Sequence, residues 1–109
     1  MNNPKSKRES LLKQMSEIET MARGRLTEEY RDRHENGQTV RLGPYYKHQV
    51  WEDGRNKSRR VKEDEAQQLR EGIEGLDKFK ELSSDFIDAT IELTEQGQED
   101  EADSKKNYR

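Results

Sequence analysis

Tyr45, Lys47, Trp51, Arg55, Lys57, Arg59 and Arg60 fall within one short stretch of this chain, and together they have the chemistry of a nucleic-acid contact. Cationic side chains neutralise phosphates, while aromatic rings stack on bases or pack on sugars. The same cations can instead form ordinary ion pairs with carboxylates of their own chain, as exposed charges commonly do. Residue type alone leaves both readings open.

Catalytic chemistry is harder to assemble. His34 and His48 are the only histidines, fourteen residues apart and without metal-ligand spacing. There is no cysteine, so neither a thiolate site nor a disulfide can form. Carboxylates are abundant, but none is set apart as an acid or a base, and neither a glycine-rich phosphate loop nor a nucleophile elbow is present. The expectation is a protein that is not an enzyme and takes no metal, no cofactor and no small-molecule substrate.

The elements that would present the basic cluster are legible around Asp53-Gly54, a pair that tolerates the positive φ angles of a type I′ turn. Strands at about 45–52 and 55–61 would pair Trp51 with Asn56, Gln49 with Ser58 and Lys47 with Arg60. Alternation then puts Tyr45, Lys47, Gln49, Trp51, Asn56, Ser58 and Arg60 on one face, expected to be exposed. Tyr46, His48, Val50, Lys57, Arg59 and Val61 share the other, the expected core face. Thr39 to Leu42 adds at most a short third strand at the edge, with Gly43-Pro44 as punctuation.

Upstream, residues 1–7 read as a flexible basic tail. Leu11, Met15, Ile18 and Ala22, with Leu12 and Met21 beside them, recur at helical steps and predict a helix from Arg8 to about Arg23, ended by Gly24. Thr27 is placed to cap a short helical piece through Glu28, Glu29 and Tyr30, and the polar stretch from Arg31 to Gln38 reads as a loop. Downstream, a helix is predicted from Glu63, whose first turn is acidic, to about Glu95. Leu69, Ile73, Leu76, Phe79, Phe86 and Leu93 mark its apolar stripe, the expected seam to a partner or a second copy. Gly72 and Gly75 mark either a kink or a close approach of another backbone, and Ser83-Ser84-Asp85 is a further point where the helix could break. The remainder, 97–109, is expected to be a disordered acidic tail.

The fold class expected is therefore α+β: N-terminal helix, central hairpin and long C-terminal helix, forming one domain over 8–96. Leu, Ile, Val and Phe number 17 of 109 residues, and 41% of the chain is charged. So small an apolar complement leaves a lone monomer marginal, and a homodimer or folding against a partner is expected. No run is long and apolar enough to span a bilayer, and no signal peptide is recognisable, so no membrane contact and a cytoplasmic location are expected.

Charge is segregated. The formal net charge is -3, yet residues 41–62 carry seven cations against two anions and residues 63–103 carry three against fifteen. A basic island sits in an otherwise acidic chain.

Met21-Ala22-Arg23-Gly24-Arg25-Leu26-Thr27-Glu28-Glu29-Tyr30, Gly43-Pro44-Tyr45-Tyr46 with Gln49, Asp53-Gly54-Arg55 with Ser58 to Val61, and Leu69-Arg70-Glu71 to Phe79 together resemble a small prokaryotic family of unknown function. The resemblance covers about residues 10–95. It implies the helix, hairpin and helix order and an association with transposase-type genes, and it brings no assigned activity or binding residues. The hairpin is also similar to sheet elements with which some integrases grip DNA, which is analogy of fold alone. The chain departs from the family pattern at Lys62, where a proline would open the long helix.

These readings lead to an accessory nucleic-acid-binding protein of a mobile element, with DNA favoured over RNA. The alternative is an interaction subunit whose acidic long helix docks a basic partner protein, and a third is a regulator that mimics DNA through that acidic face.

Overall fold

A computed structural model of the chain describes residues 3–107, with side chains described through Gly97. The order of elements is α1 (Pro4–Ser16), β1 (Arg25–Glu35), β2 (Gln38–Glu52), β3 (Arg55–Val61) and α2 (Glu63–Asn107). This is the expected α+β arrangement of helix, sheet and long helix, with three substantial strands in place of a hairpin and a fragment.

Helix α1 begins four residues earlier than expected. Asn3 is its N-cap, accepting a hydrogen bond at Oδ1 from the Ser6 amide at 2.8 Å, and Pro4 occupies the first turn, where its missing N–H costs nothing. Residues 3–7 thus belong to a capped helix, not a flexible tail; Met1 and Asn2 lie outside the described residues. The helix ends at Ser16, so Ile18, Met21 and Ala22 lie beyond it despite their helical spacing.

The strands form one antiparallel sheet in the order β1-β2-β3, with β2 in the centre. The hairpin register is the expected one, Trp51 opposite Asn56, Gln49 opposite Ser58 and Lys47 opposite Arg60. Two expectations upstream are overturned: Thr27 to Tyr30 is strand, not helix, and Arg31 to Gln38 is the end of one hairpin, not a loop. Asn36 and Gly37 both have positive φ, as do Asp53 and Gly54, so both hairpins close on the backbone geometry that type I′ turns use. Residues 39–42 are accordingly part of the fifteen-residue central strand, not an edge fragment.

At Tyr30 the ladder shifts: Glu29 pairs with Tyr45 and Arg31 with Leu42, leaving Gly43 and Pro44 opposite one residue. This bulge explains how a proline is accommodated in a central strand; the Gly43–Pro44 peptide is cis. Gly24, expected to stop a helix, instead leads into β1 with φ +103°. A Cβ there would lie 2.3 Å from the Gln49 carbonyl oxygen. Only glycine fits so close to β2.

Helix α2 starts at Glu63 without a proline: the Lys62 carbonyl accepts from the Ala66 amide at 2.8 Å. It runs unbroken through Gly72, Gly75 and Ser83-Ser84-Asp85 and on to Asn107. The tail expected from 97 falls, but for Gly97, beyond the described side chains.

The chain divides into two compact units. In residues 20–76, the sheet and the first turns of α2, Val61 and Ala66 are buried apolar residues, His48 is buried beside them, and Gly72 of α2 approaches Ala22. In residues 1–19 with 77–109, Leu11, Leu82 and Ala89 are buried, the Arg8 guanidinium lies 4.7 Å from the Phe86 ring centre, and its Nε donates to Thr90 Oγ1 at 3.1 Å. No helix among the described residues is long and apolar enough to cross a membrane.

Candidate nucleic-acid interface

Strand pleating sorts the side chains of the sheet into two sets. One face carries Leu26 and Glu28 of β1, Tyr46, His48 and Val50 of β2, and Lys57, Arg59 and Val61 of β3, as the pairing register requires. The first turns of α2 meet this face. Arg59 donates to the Glu65 carboxylate, Arg70 donates to Glu28 at 3.4 Å, and the Arg70 guanidinium lies 6.0 Å from the Tyr46 ring centre.

Lys57 and Arg59, the β3 cations named on this face, are paired with carboxylates. The hydrogen bond from Arg59 holds the Glu65 carboxyl below its ordinary value, outweighing the opposite effect of burial, with the charges of Arg59 and His48 acting the same way as the bond. The Arg59 guanidinium is raised in turn by its bond to Glu65. Lys57 lies 3.8 Å from Glu52 and 3.9 Å from Asp53. His48 Nε2 is 2.9 Å from the Arg23 carbonyl oxygen, which can only accept, so that nitrogen carries the proton and the imidazole is occupied in holding the segment before β1.

The opposite face carries Arg25, Thr27, Glu29 and Arg31 of β1, Tyr45, Lys47, Gln49 and Trp51 of β2, and Asn56, Ser58 and Arg60 of β3. None of these residues is buried, and Trp51 is 74% exposed. Tyr45 organises the cations around it: the Arg31 guanidinium is 5.4 Å and the Arg60 guanidinium 4.8 Å from its ring centre. Lys47 lies 3.7 Å from Glu29, the single carboxylate of this group. The pair is exposed and therefore weak.

Of the seven residues expected to contact nucleic acid, Tyr45, Lys47, Trp51 and Arg60 share the open face. Lys57 and Arg59 are on the other, exposed but engaged with carboxylates. Arg55 pairs in register with Glu52 beside the turn, a step from Trp51, and so falls on the same side as Lys57 and Arg59. The expected seven-residue surface is thus split by the pleat, and alternation already contained that division. Arg25 and Arg31 join the open face unforeseen, because the segment holding them reads as helix and loop when only local pattern is considered.

The residues expected to form the seam of the long helix, Leu69, Ile73, Leu76, Phe79, Phe86 and Leu93, are all half-buried. Ile87 and Ile91, outside that stripe, are exposed.

Open hollows of about 350 Å³, lined by His48, Val50, Glu52, Lys57, Ser58 and Arg59, and about 410 Å³, around Tyr45, Tyr46 and Lys62, flank the sheet. The first has its carboxylate and its cations engaged in the pairs described above. Among the described residues no group of three or more His, Asp and Glu side chains is placed to hold a metal ion.

One family, described as a domain of unknown function (DUF6788), matches residues 2–71, which contain α1, the whole sheet and the first turns of α2. No curated protein and no solved structure matches the chain.

Proposed function

The chain belongs to the DUF6788 family of domains of unknown function, and we propose that it is a non-enzymatic nucleic-acid-binding protein whose contact surface is the open face of the sheet. One observation carries this reading. Arg59 is bound to the Glu65 carboxylate of α2 and Lys57 lies beside Glu52 and Asp53, whereas Arg25, Arg31, Lys47 and Arg60 are gathered on the open face with Tyr45 and Trp51 and with Glu29 as the one carboxylate among them.

The division of labour follows from side-chain chemistry. The four cations meet phosphate oxygens, and guanidinium groups do so with two parallel donors. Tyr45 positions Arg31 and Arg60 by holding them against its ring, so less side-chain freedom is lost on binding. Trp51, exposed at the end of β2, is free to pack on a base or sugar. Service as an accessory factor of a mobile element belongs to this proposal through the family resemblance alone.

The test is a titration of the full chain against labelled duplex DNA, single-stranded DNA and structured RNA at several salt concentrations. Four phosphate contacts give a log-log salt slope of about -3.6 on a duplex and about -2.8 on a single strand. Arg25→Glu with Arg60→Glu flattens that slope, and Lys57→Glu leaves it in place. Absence of binding to all three probes at low salt overturns the proposal.

A second reading draws on Ile87 and Ile91, which are exposed on α2 among Asp88, Glu92 and Glu95. In it the acidic helix docks a basic partner protein. Reversing Asp77, Glu81, Asp85 and Asp88 then abolishes partner binding while leaving nucleic-acid titrations unchanged.

A further inference from the structure

The open face is not chemically uniform along its length. Strand β1 begins at Arg25, opposite Gln49, so beyond that point β2 and β3 continue to the Asp53-Gly54 turn as a ribbon of two strands. Trp51 and Asn56 are the open-face residues of this narrow end, and the next row is Gln49 and Ser58, where β1 joins with Arg25. Farther back, where the sheet is three strands wide, are Arg31, Lys47 and Arg60.

We infer that the ribbon end reads base edges in the major groove of duplex DNA, with Gln49 and Asn56 as the specificity-determining residues. The inference rests on the proposed nucleic-acid contact and adds sequence selectivity to it. Phosphates attract cations regardless of sequence, so the charged half of the face supplies affinity without discrimination. Amides contribute little to phosphate affinity. They discriminate between bases, because one planar group presents a donor and an acceptor that match N6 and N7 of adenine.

Three features support this assignment. First, geometry: neighbouring strands lie about 4.8 Å apart, so a two-stranded ribbon fits a groove about 12 Å wide. The wider base of the sheet then meets the flanking backbones with its cations. Second, availability: among the described residues, Gln49, Asn56 and Ser58 have no side-chain hydrogen-bond partner. By contrast, Gln14 donates to Ser10, Gln67 donates to Glu71 and Thr39 bonds His34. Third, the acidic residues nearest the ribbon end, Glu52 and Asp53, both lie beside Lys57, which offsets their repulsion of an approaching duplex.

Trp51 is cross-strand to Asn56 and offers an apolar surface beside the amides. Thymine presents a methyl group in the major groove next to the face that adenine offers to an amide. The preferred site therefore contains A·T pairs where the ribbon end docks.

The experiment is selection by the full-length protein from a pool of randomised duplexes, followed by competition between the enriched duplex and a scrambled one. The expected result is enrichment of a site containing A·T pairs. Loss of each amide reduces the preference for that site by about 5- to 150-fold. Gln49→Ala with Asn56→Ala thus removes the preference while leaving binding to the scrambled duplex and its salt slope unchanged. Because Gln49 is half-buried, Asn56→Ala alone, at a fully exposed position, serves if the double variant loses its fold.

Salt-sensitive binding without enrichment overturns this inference and leaves the contact surface standing, and so does enrichment that survives removal of both amides. Preference for single strands over every duplex also overturns it. Failure to bind duplex DNA, single-stranded DNA and structured RNA alike at low salt overturns the contact surface itself.

Discussion

Arg59 and Arg60 are consecutive on β3 and end on opposite faces of the sheet, Arg59 bound to the Glu65 carboxylate of α2 and Arg60 resting over the Tyr45 ring. The pleat gives two chemically identical side chains different tasks. Arg60→Glu is therefore expected to weaken nucleic-acid binding and to lower the magnitude of the salt slope by about 0.9, the effect of one lost phosphate contact. Arg59→Glu sets two carboxylates against each other, lowers the thermal midpoint and leaves the salt slope in place. Equal effects of the two substitutions on the slope would refute the assignment of faces.

The pair between Arg59 and Glu65 also fixes a pH dependence. The Glu65 carboxyl is held below its ordinary value of 4.5 chiefly by the hydrogen bond from Arg59. A carboxyl lowered in the folded state stabilises the fold above its unfolded value, and that contribution disappears as pH falls through the folded value. Arg59 is raised in turn by its bond to Glu65 and stays charged throughout, so it adds no slope in this range. Thermal midpoints of the native protein and of Glu65→Gln, followed from neutral pH downwards, should differ by a constant amount above about pH 5 and converge below 4.5. The two proteins differ only at residue 65, so the difference isolates Glu65. A gap that persists unchanged into strong acid means that the bond is not ionic in origin.

Gly72 is expected to resist replacement. A Cβ there would lie 2.7 Å from the Ala22 Cβ and 2.9 Å from the Ala22 backbone nitrogen, closer than such atoms approach. Alanine is favoured over glycine within a helix by about 1 kcal/mol, but overpacking costs about 1–3 kcal/mol, and here the obstacle includes backbone. Gly72→Ala should lower stability in chemical denaturation. Gly97→Ala, in the same helix with nothing within 4 Å of the added atom, should raise it. Stabilisation by both would mean that Ala22 yields freely.

The contrast between Asp53-Gly54 and Asn36-Gly37 explains how much of this fold was legible. Both pairs close hairpins with positive φ at both residues. The first stands out because Val50, Trp51 and Val61 flank it, and Val61 is buried. The second joins 31–35 to 38–42, strands with little apolar alternation to report their period, because almost every side chain there is exposed. What makes β1 a strand is its pairing with β2, which no local window contains.

The first helix misleads in the opposite way. Ile18, Met21 and Ala22 keep helical spacing after Ser16, yet Ala22 lies against Gly72. Periodicity identifies residues that seek burial without specifying the backbone that delivers them. At the other end, the Asn3-Pro4 cap was legible in principle but is followed by charges instead of an apolar run. The acidic first turn of α2 and the Asp53-Gly54 register were read directly, and the register already implied that Arg59 and Arg60 part company. Arg25 and Arg31 reach the interface only through the β1–β2 pairing, so their part in it was hidden until the strand itself was known.

Trp51 separates stability from recognition most sharply. Its side chain is 74% exposed, so Trp51→Ala should change folding stability by no more than about 0.5 kcal/mol. If the indole packs on a base or sugar, the same change costs about 1–3 kcal/mol of binding. Trp51 is also the only tryptophan in the chain, so its emission reports on the ribbon end without a label. Addition of nucleic acid should shift or quench that emission in the native protein and in Lys57→Glu alike, with a midpoint that tracks the binding curve. Arg60→Glu should move the midpoint to higher nucleic-acid concentration while preserving the final amplitude, since the indole still docks once enough complex forms. Unchanged emission, together with unchanged affinity in Trp51→Ala, would confine the contact to the cations at the base of the sheet and remove the ribbon end from the interface.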